Sequence, residues 1–356
     1  MTIDVWDLAD ATPADLTAYA RDLPDALPNN LEQFLPNRTI AGIETDIVTK
    51  TRRRLVAKYR SWNTETQIGE RPIAVTKDRI ALPPLGQMLV LTEWESILIR
   101  LAEAGGTITP GLQEDIVAQV YDDVSHNVDA VRNRVEAARA DFLIDGKFTL
   151  SNERGLTMEY DAGLAPAHTT APSILWSSTS TATPLSDEIT WNRLVRKDSI
   201  TGPPTWAVTD SDTIDFMRNS QEYRSAYWPT LPAVNAPRLD LGQLNEIRGR
   251  EGLPPLYSYD HQLDFGTQQA PDQRYLIPRG QFIFGTDGVG ETQWGWTAEM
   301  LSLMQSRSID VARQEAPGLT VLAWKKPNPF TGYTQVAATA MPVGGDIGGL
   351  YSTLVR

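Results

Sequence analysis

An α+β chain is expected from three features of these 356 residues. Extended sequence broken by Gly and Pro runs from Arg38 to Glu95. One helical pattern of unusual length occupies Thr109–Ile144, and the second half alternates short helices with short strands and has no internal repeat. An arm in front of a long helix has too little core of its own to be an enzyme lobe; it reads as a surface made to lie on a neighbouring copy. At this length about two domains are expected, at ~100–200 residues each.

Pro13, Pro24, Pro28 and Pro36 break up residues 1–37. A short helix is predicted over Asp15–Arg21, with Thr12 as cap and Pro13 at its first position, and the rest reads as an extended arm. Ile40, Ile43, Ile47, Val48 and Val56 favour strand between Thr39 and Lys58. From Trp62 to Leu91, Gly69, Pro72, Pro83-Pro84 and Gly86 forbid a helix. There Ile73–Val75 and Ile80–Leu82 flank a polar Thr76–Arg79 segment, predicting a long two-stranded arm that turns at 76–79. A ribbon of two strands is marginal in water, so it needs a partner surface. Trp94–Leu101 then starts a short helix that ends at Gly105-Gly106.

The long helix has Thr109 as its cap, Pro110 at the first position, and Glu114 and Asp115 near the positive end of the dipole. Ile116, Val120, Val124, Val128, Val131, Val135, Ala138 and Phe142 recur three or four apart and predict one buried stripe. Arg132, Arg134 and Arg139 sit in its C-terminal half, and Gly146 supplies the stop. About 35 residues at 1.5 Å each make a rod of roughly 50 Å. Lys147–Ser151 and Gly155–Asp161 predict a hairpin around Asn152–Arg154. Residues 165–186, rich in Pro, Ser, Thr and Ala, read as a domain boundary. Beyond it come a helix at Asp212–Arg224, a Pro-rich Trp228–Pro237 segment, a helix at Leu241–Glu251 and a strand at Arg274–Phe284. A helix at Ala298–Gln305 and strands at Leu319–Trp324 and Tyr333–Ala340 follow, closed by Gly344-Gly345 and Gly348-Gly349.

Composition narrows the chemistry. Apolar residues at 41% and charged residues at 22% are ordinary for a chain that buries a core. With no cysteine, disulfides, Cys-ligated zinc, iron–sulfur clusters and thiol nucleophiles are excluded. The N-terminus is acidic where a secretory signal would be basic and then apolar, and no run reaches the ~18–20 apolar residues of a membrane span. A soluble protein made in the cytoplasm is expected, with no membrane partner. The net charge of −13 disfavours wrapping nucleic acid. That charge is uneven: residues 1–36 hold Asp4, Asp7, Asp10, Asp15, Asp22, Asp25 and Glu32 against Arg21 alone. Residues 50–60 hold Lys50, Arg52, Arg53, Arg54, Lys58 and Arg60 with no acid. Opposite patches of this kind set register between copies. The alternatives are a solvated basic face and a tract that lines an interior and touches DNA.

No catalytic, cofactor or metal site is expected. His126, His168 and His261 share no metal spacing, His126 reads as structural on the long helix, and there is no G-x-S-x-G elbow. Gly285-Thr-Asp-Gly288-Val-Gly290 follows a strand but lacks a Gly-Lys-Ser/Thr ending, and reads as a turn. Asp210, Asp212 and Asp215 lack the Gly and distal Glu of a calcium loop; Ser211 or Asp212 capping the next helix explains them better. Ten tryptophans and eleven tyrosines are many for this length. Trp62 and Trp94 bracket the arm, where aromatic anchors suit an interface.

Four segments carry a resemblance: Arg38-Thr-Ile-Ala-Gly-Ile-Glu44; Trp62-Asn-Thr-Glu-Thr-Gln-Ile-Gly69; Leu82-Pro-Pro-Leu-Gly-Gln87 with Leu91-Thr-Glu-Trp-Glu95; and Val131-Arg-Asn-Arg-Val-Glu136 running on to Asp145-Gly-Lys-Phe-Thr149. With Pro327-Asn-Pro-Phe330 and the order of elements, they resemble the major capsid proteins of tailed bacteriophages, specifically the phage lambda capsid family. The likeness is densest over 38–160. It implies the HK97-type capsid fold: an N-terminal arm at 1–45, an extended β-hairpin E-loop at 46–95, and a peripheral (P) domain at 96–189 with its spine helix at 109–145. An axial (A) domain at 190–320 and a return strand to the P domain at 321–356 would complete it. It implies a shell of pentamers and hexamers, assembled in a bacterial host's cytoplasm, that becomes the virion and encloses double-stranded DNA without reading its sequence. A decoration protein, a portal and a scaffold encoded separately are the implied partners, the last because only about 37 residues precede the ribbon. Some relatives cross-link an E-loop Lys, but a solvated lysine is the expectation for Lys77. Inter-subunit contact is expected at Arg52, Arg53, Arg54, Lys58, Trp62, Lys77, Arg79 and Trp94. A nanocompartment shell of the same fold and a soluble enzyme with an unrecognised carboxylate pair are the competing readings.

Overall fold

The computed structural model describes residues 18–20, 22–23, 31–52, 73–91, 110–232, 235–266, 269–305, 318–327 and 330–356. The architecture is mixed α and β, in two bodies joined through a shared core.

The first body is built on the long helix α1, Pro110–Asp145. Its predicted cap Thr109 lies outside the described residues, as do the side chains of Ile116 and Val120. From Val124 onward the predicted stripe is buried: Val124, Val128, Val131, Val135, Ala138 and Phe142. Gly146 ends the helix at φ +75°, a left-handed conformation that glycine adopts without strain, with its N–H on the Phe142 carbonyl at 2.8 Å. A Cβ there would meet Leu164 Cβ at 2.8 Å.

Helix α1 lies along a five-stranded sheet whose axis is the last long strand. The strands are β1 (Asn37–Thr39), β4 (Pro84–Leu91), β12 (Gly290–Trp294), β13 (Thr320–Pro327) and β14 (Phe330–Gly344). β14 pairs antiparallel with β12, β13 and β4 in turn, and β1 runs parallel to β12. Val124, Val128, Val131 and Val135 interlock with Val321, Val336, Ala338, Ala340 and Trp294. Apart from Trp294 these side chains are small or β-branched, which brings the helix close to the strand. The hairpin β5 (Lys147–Glu153) and β6 (Leu156–Asp161) follows as predicted, with Asn152, Arg154 and Gly155 at positive φ in its turn.

The other two strands, β2 (Glu44–Arg52) and β3 (Ile73–Ala81), form a separate antiparallel ribbon. Here the structure corrects the predicted turn at Thr76–Arg79. β3 runs unbroken through those residues, and the chain reverses between β2 and β3. No Gly or Pro interrupts 73–82, so nothing in the backbone forces a turn there. The short helices predicted at Asp15–Arg21 and Trp94–Leu101 lie mostly or wholly outside the described residues.

The second body is a four-stranded sheet ordered β15 (Tyr351–Leu354), β11 (Gln281–Gly285), β7 (Trp206–Thr209), β8 (Leu256–Ser258). It is flanked by α2 (Pro184–Asp198), α3 (Ser211–Asn219), α4 (Gln221–Tyr227) and α5 (Leu241–Arg250). A small pair, β9 (Gln262–Asp264) and β10 (Gln273–Tyr275), sits beside it, and α6 (Ala298–Gln305) leads back toward β13. Its core stacks Trp176 on Trp191 and Trp191 on Tyr351, with Phe282 edge-on to Trp176. The final strand β15 therefore lies here on β11, while β13 and β14 lie in the sheet of the long helix.

Three more expectations are corrected. The helix predicted at Asp212–Arg224 is two helices, because Ser220 takes an extended ψ of 135° between α3 and α4. The strand predicted at Arg274–Phe284 is two strands, separated by Pro278 and by Gly280 at φ +85°. Helix α2 falls partly in the segment read as a boundary; Leu185, Glu188, Trp191 and Val195 recur at helical spacing and are buried. Trp176, from the same segment, is among the most buried side chains of the second body.

Candidate assembly surfaces

The ribbon leaves the first body at a gripped root. Gly42 accepts the Trp296 N–H at 3.0 Å, Ile43 accepts the Leu82 N–H at 2.9 Å, and Thr45 and Leu82 are buried. Beyond the root, β2 and β3 pair over nine residues and, among the described residues, with no third strand. Register places Asp46 opposite Arg79, Val48 opposite Lys77, Lys50 opposite Val75 and Arg52 opposite Ile73. The register thus places cations opposite β-branched residues at three of these positions. Arg79 reaches Glu44 at 3.8 Å with its side chain 72% exposed, an ion pair that adds little stability.

Of the predicted contact residues, the structure puts Arg52 at the end of β2, and Lys77 and Arg79 within β3 rather than at a tip. Arg53, Arg54, Lys58, Trp62 and Trp94 lie outside the described residues. Sequence reasoning missed a second surface. β4, Pro-Leu-Gly-Gln-Met-Leu-Val-Leu, carries no charge, and among the described residues it pairs only with β14. Met88 and Val90 on it are 44% and 43% exposed. An uncharged edge with apolar side chains is what monomeric proteins guard against, which makes β4 a candidate contact surface. The alternation of PLGQMLVL carries that signal, but only the pairing shows which edge is open.

Among the described residues, nothing comparable gathers for catalysis. Among the described residues there is no group of three His, Asp or Glu side chains able to hold a metal ion. His126 projects outward from the long helix, 3.8 Å from Asp122. His168 is buried between the Leu350 carbonyl at 2.6 Å and the Asp198 carboxylate at 3.1 Å. His261 lies edge-on to Tyr259. The three acids near residue 210 are all occupied. Asp210, rather than Ser211 or Asp212, caps α3 through the Thr213 N–H at 3.2 Å, and it also accepts the Gly280 N–H at 2.8 Å. Asp212 pairs with Arg279 and Arg356, and Asp215 with Arg218 and Arg238. Gly285–Gly290 is a turn between β11 and β12, closed by Val289 N–H on the Thr286 carbonyl at 3.2 Å. Among the described residues, no helix is long and apolar enough to cross a membrane.

No family model matches the sequence, and no curated protein matches it. Solved structures do. A candidate capsid protein of a prophage of Escherichia coli CFT073 matches with a TM-score of 0.62 at 13% identity, covering 97% of this chain and 99% of that one. A phage-related protein from Bordetella bronchiseptica RB50 matches with a TM-score of 0.56 at 13% identity, covering 95% of each chain. The likeness spans nearly the whole chain and shows the fold: α+β, of the HK97 capsid type.

Proposed function

We propose that this chain is the major capsid protein of a tailed bacteriophage, self-assembling as pentamers and hexamers into the icosahedral shell around a double-stranded DNA genome. The observation that carries the reading is the ribbon: nine residue pairs of two-stranded sheet that, among the described residues, have no third strand, on a chain that has the capsid fold almost end to end. Such a ribbon is stable only against another surface. The open β4 edge offers a surface of the same kind on the next copy.

In this reading residues 1–45 are the N-terminal arm, 46–95 the E-loop, 96–189 the P domain, 190–320 the A domain and 321–356 the return segment. Arg52, Arg53, Arg54, Lys58, Trp62, Lys77, Arg79 and Trp94 form the clasp on a neighbour. The partners are other copies of the chain, a separate scaffold, a portal, a decoration protein, and DNA held inside without base-specific contacts. The role is structural rather than enzymatic, and the chain's place is the virion.

Replacing residues 46–79 by a short turn tests the assignment of the ribbon. The shortened chain is expected to keep its circular dichroism and melting profile while light scattering shows no particles. Particles of normal size from the shortened chain would overturn it.

A further inference from the structure

The segment Leu31–Thr39 straddles the two bodies. On one side the Phe34 ring stacks on Trp206 of β7 with centroids 4.3 Å apart, and faces Tyr257 of β8 at 5.8 Å. On the other side Asn37–Thr39 pairs with Thr292–Trp294 of β12. There the Leu35 carbonyl accepts the Thr292 hydroxyl at 3.0 Å, and the Pro36 carbonyl accepts the Thr292 N–H at 2.9 Å. Leu31, Phe34 and Leu35 are all buried in the core the bodies share.

Between these two sets of contacts stands Glu136 of α1, 2% exposed. Its Oε1 accepts the Leu31 N–H at 2.6 Å and the Tyr259 hydroxyl at 2.8 Å, and its Oε2 accepts Arg139 Nη1 at 3.0 Å. Arg139, also buried, donates from Nε to Thr292 Oγ1 at 2.9 Å and from Nη2 to Asn37 Oδ1 at 2.6 Å. Asn37 Oδ1 further accepts the Trp294 indole N–H at 2.7 Å. One buried carboxylate therefore holds a donor from the N-terminal segment, a donor from the loop after β8 and a donor from its own helix.

We propose that residues 31–39 are a strap that fixes the angle between the two bodies, with Glu136 as its latch. The arrangement is all-or-none. If the strap withdraws, Glu136 loses the Leu31 N–H and Arg139 loses Asn37 Oδ1 together, and a buried charged pair short of partners is costly, so the site opens to water rather than relaxing by degrees. Phe34 leaves Trp206 and Tyr257 in the same step, because it lies three residues from Leu31. The bodies stay attached when the strap is out. Asp346, just after β14, independently holds the chain after α2, accepting the Ser199 hydroxyl at 2.8 Å and the Ile200 and Thr201 N–H groups at 2.7 and 2.8 Å. Opening the latch thus frees an angle about that joint rather than unfolding either body. A partner that engages the chain ahead of Leu31 would act on the relative setting of the bodies through this strap.

The chain has no cysteine, so two can be introduced cleanly: Thr157→Cys in the hairpin of the first body and Glu251→Cys after α5 in the second. Spin labels at these positions, on full-length chain diluted into unlabelled chain, read the distance between the bodies. The parent is expected to give one narrow distance distribution. Glu136→Gln and, separately, Phe34→Ala are expected to broaden or shift it. Amide exchange at Leu31–Ile40 should rise by on the order of tenfold, the factor carried by one lost hydrogen bond to a charged group, while Phe282–Phe284 stays protected. Tyr259→Phe, which removes a single donor, guards against a Glu136 variant that fails to fold, and should show the same pattern more weakly. An unchanged distance distribution in the Phe34 and Tyr259 variants, with exchange at Leu31–Ile40 raised, would overturn the strap. So would a rise in exchange spread equally over both bodies.

Discussion

Arg248 of α5 and Glu188 of α2 form an ion pair from which solvent is excluded on both sides. Tyr223 of α4 donates its hydroxyl to the other Glu188 oxygen at 2.6 Å, and Arg248 Nε and Nη2 both donate to the Pro254 carbonyl, at 3.2 and 3.0 Å. Three helices and the approach to β8 are thereby pinned in one register. A buried pair of this kind adds little net stability compared with a well-packed apolar replacement, but breaking it on one side strands a charge. Arg248→Ala is therefore expected to cost about 3–5 kcal/mol. Denaturant unfolding of the second body, followed through its tryptophans, measures this.

The same pair gives a pH dependence. Burial pushes the Glu188 carboxyl from its usual 4.5 up to about 7, against the opposing pull of Arg248 and the Tyr223 hydroxyl. A raised acid binds its proton more tightly in the folded than in the unfolded chain, so its contribution to stability is greatest below 4.5 and declines as pH rises toward 7. Glu188→Gln removes this slope. Melting temperatures of parent and variant across that window should converge in slope only if Glu188 is not the titrating group.

Gly146 is the hinge between the long helix and the hairpin, at φ +75° with Leu164 close behind it. Gly146→Ala combines left-handed strain with a steric clash and is expected to cost about 1–3 kcal/mol. A loss below 0.5 kcal/mol by thermal unfolding, roughly the size of a neutral surface change, would mean that the helix stop lies elsewhere.

Arg79 separates folding from association. Its pair with Glu44 is exposed, so Arg79→Ala is expected to change subunit stability by less than about 1 kcal/mol. Its place on the ribbon should make the same substitution slow or weaken particle formation. Sedimentation of matched samples reads both effects, and an unaltered particle yield would remove Arg79 from the clasp.

The basic tract makes the stronger demand. Arg52→Glu together with Arg54→Glu is expected to block assembly and leave the subunit folded, since opposite charge at a complementary contact repels. Normal particles by sedimentation, with an intact circular dichroism spectrum, would refute its role as an interface.

What could be read from the residues follows from where the controlling forces are local. Helix α1 was legible because a stripe of valines and a terminal glycine state its period and its end. Helix α2 was not, because Thr183-Pro184 opens it inside a Ser/Thr/Pro-rich run whose apolar partners, such as Tyr223 and Phe282, are distant in sequence. The break between α3 and α4 rests on the backbone of Ser220, an ordinary residue for either state. Lys77 was placed at a turn because polarity usually marks one; in a two-stranded ribbon, polar residues within a strand carry the same signal, and only the pairing of β2 with β3 tells them apart. Glu136 read as one more charge on a long helix, since its partners Leu31 and Tyr259 lie 105 and 123 residues away. The two-stranded arm was legible in kind, while the edge at β4 that pairs only with β14 among the described residues needed the strand order.

Negative-stain electron microscopy of the purified full-length chain, expressed with scaffold supplied, tests the central claim most directly. Closed shells tens of nanometres across, with five- and six-fold clusters of subunits, are the predicted result. A monodisperse monomer at high concentration under the same conditions would contradict it.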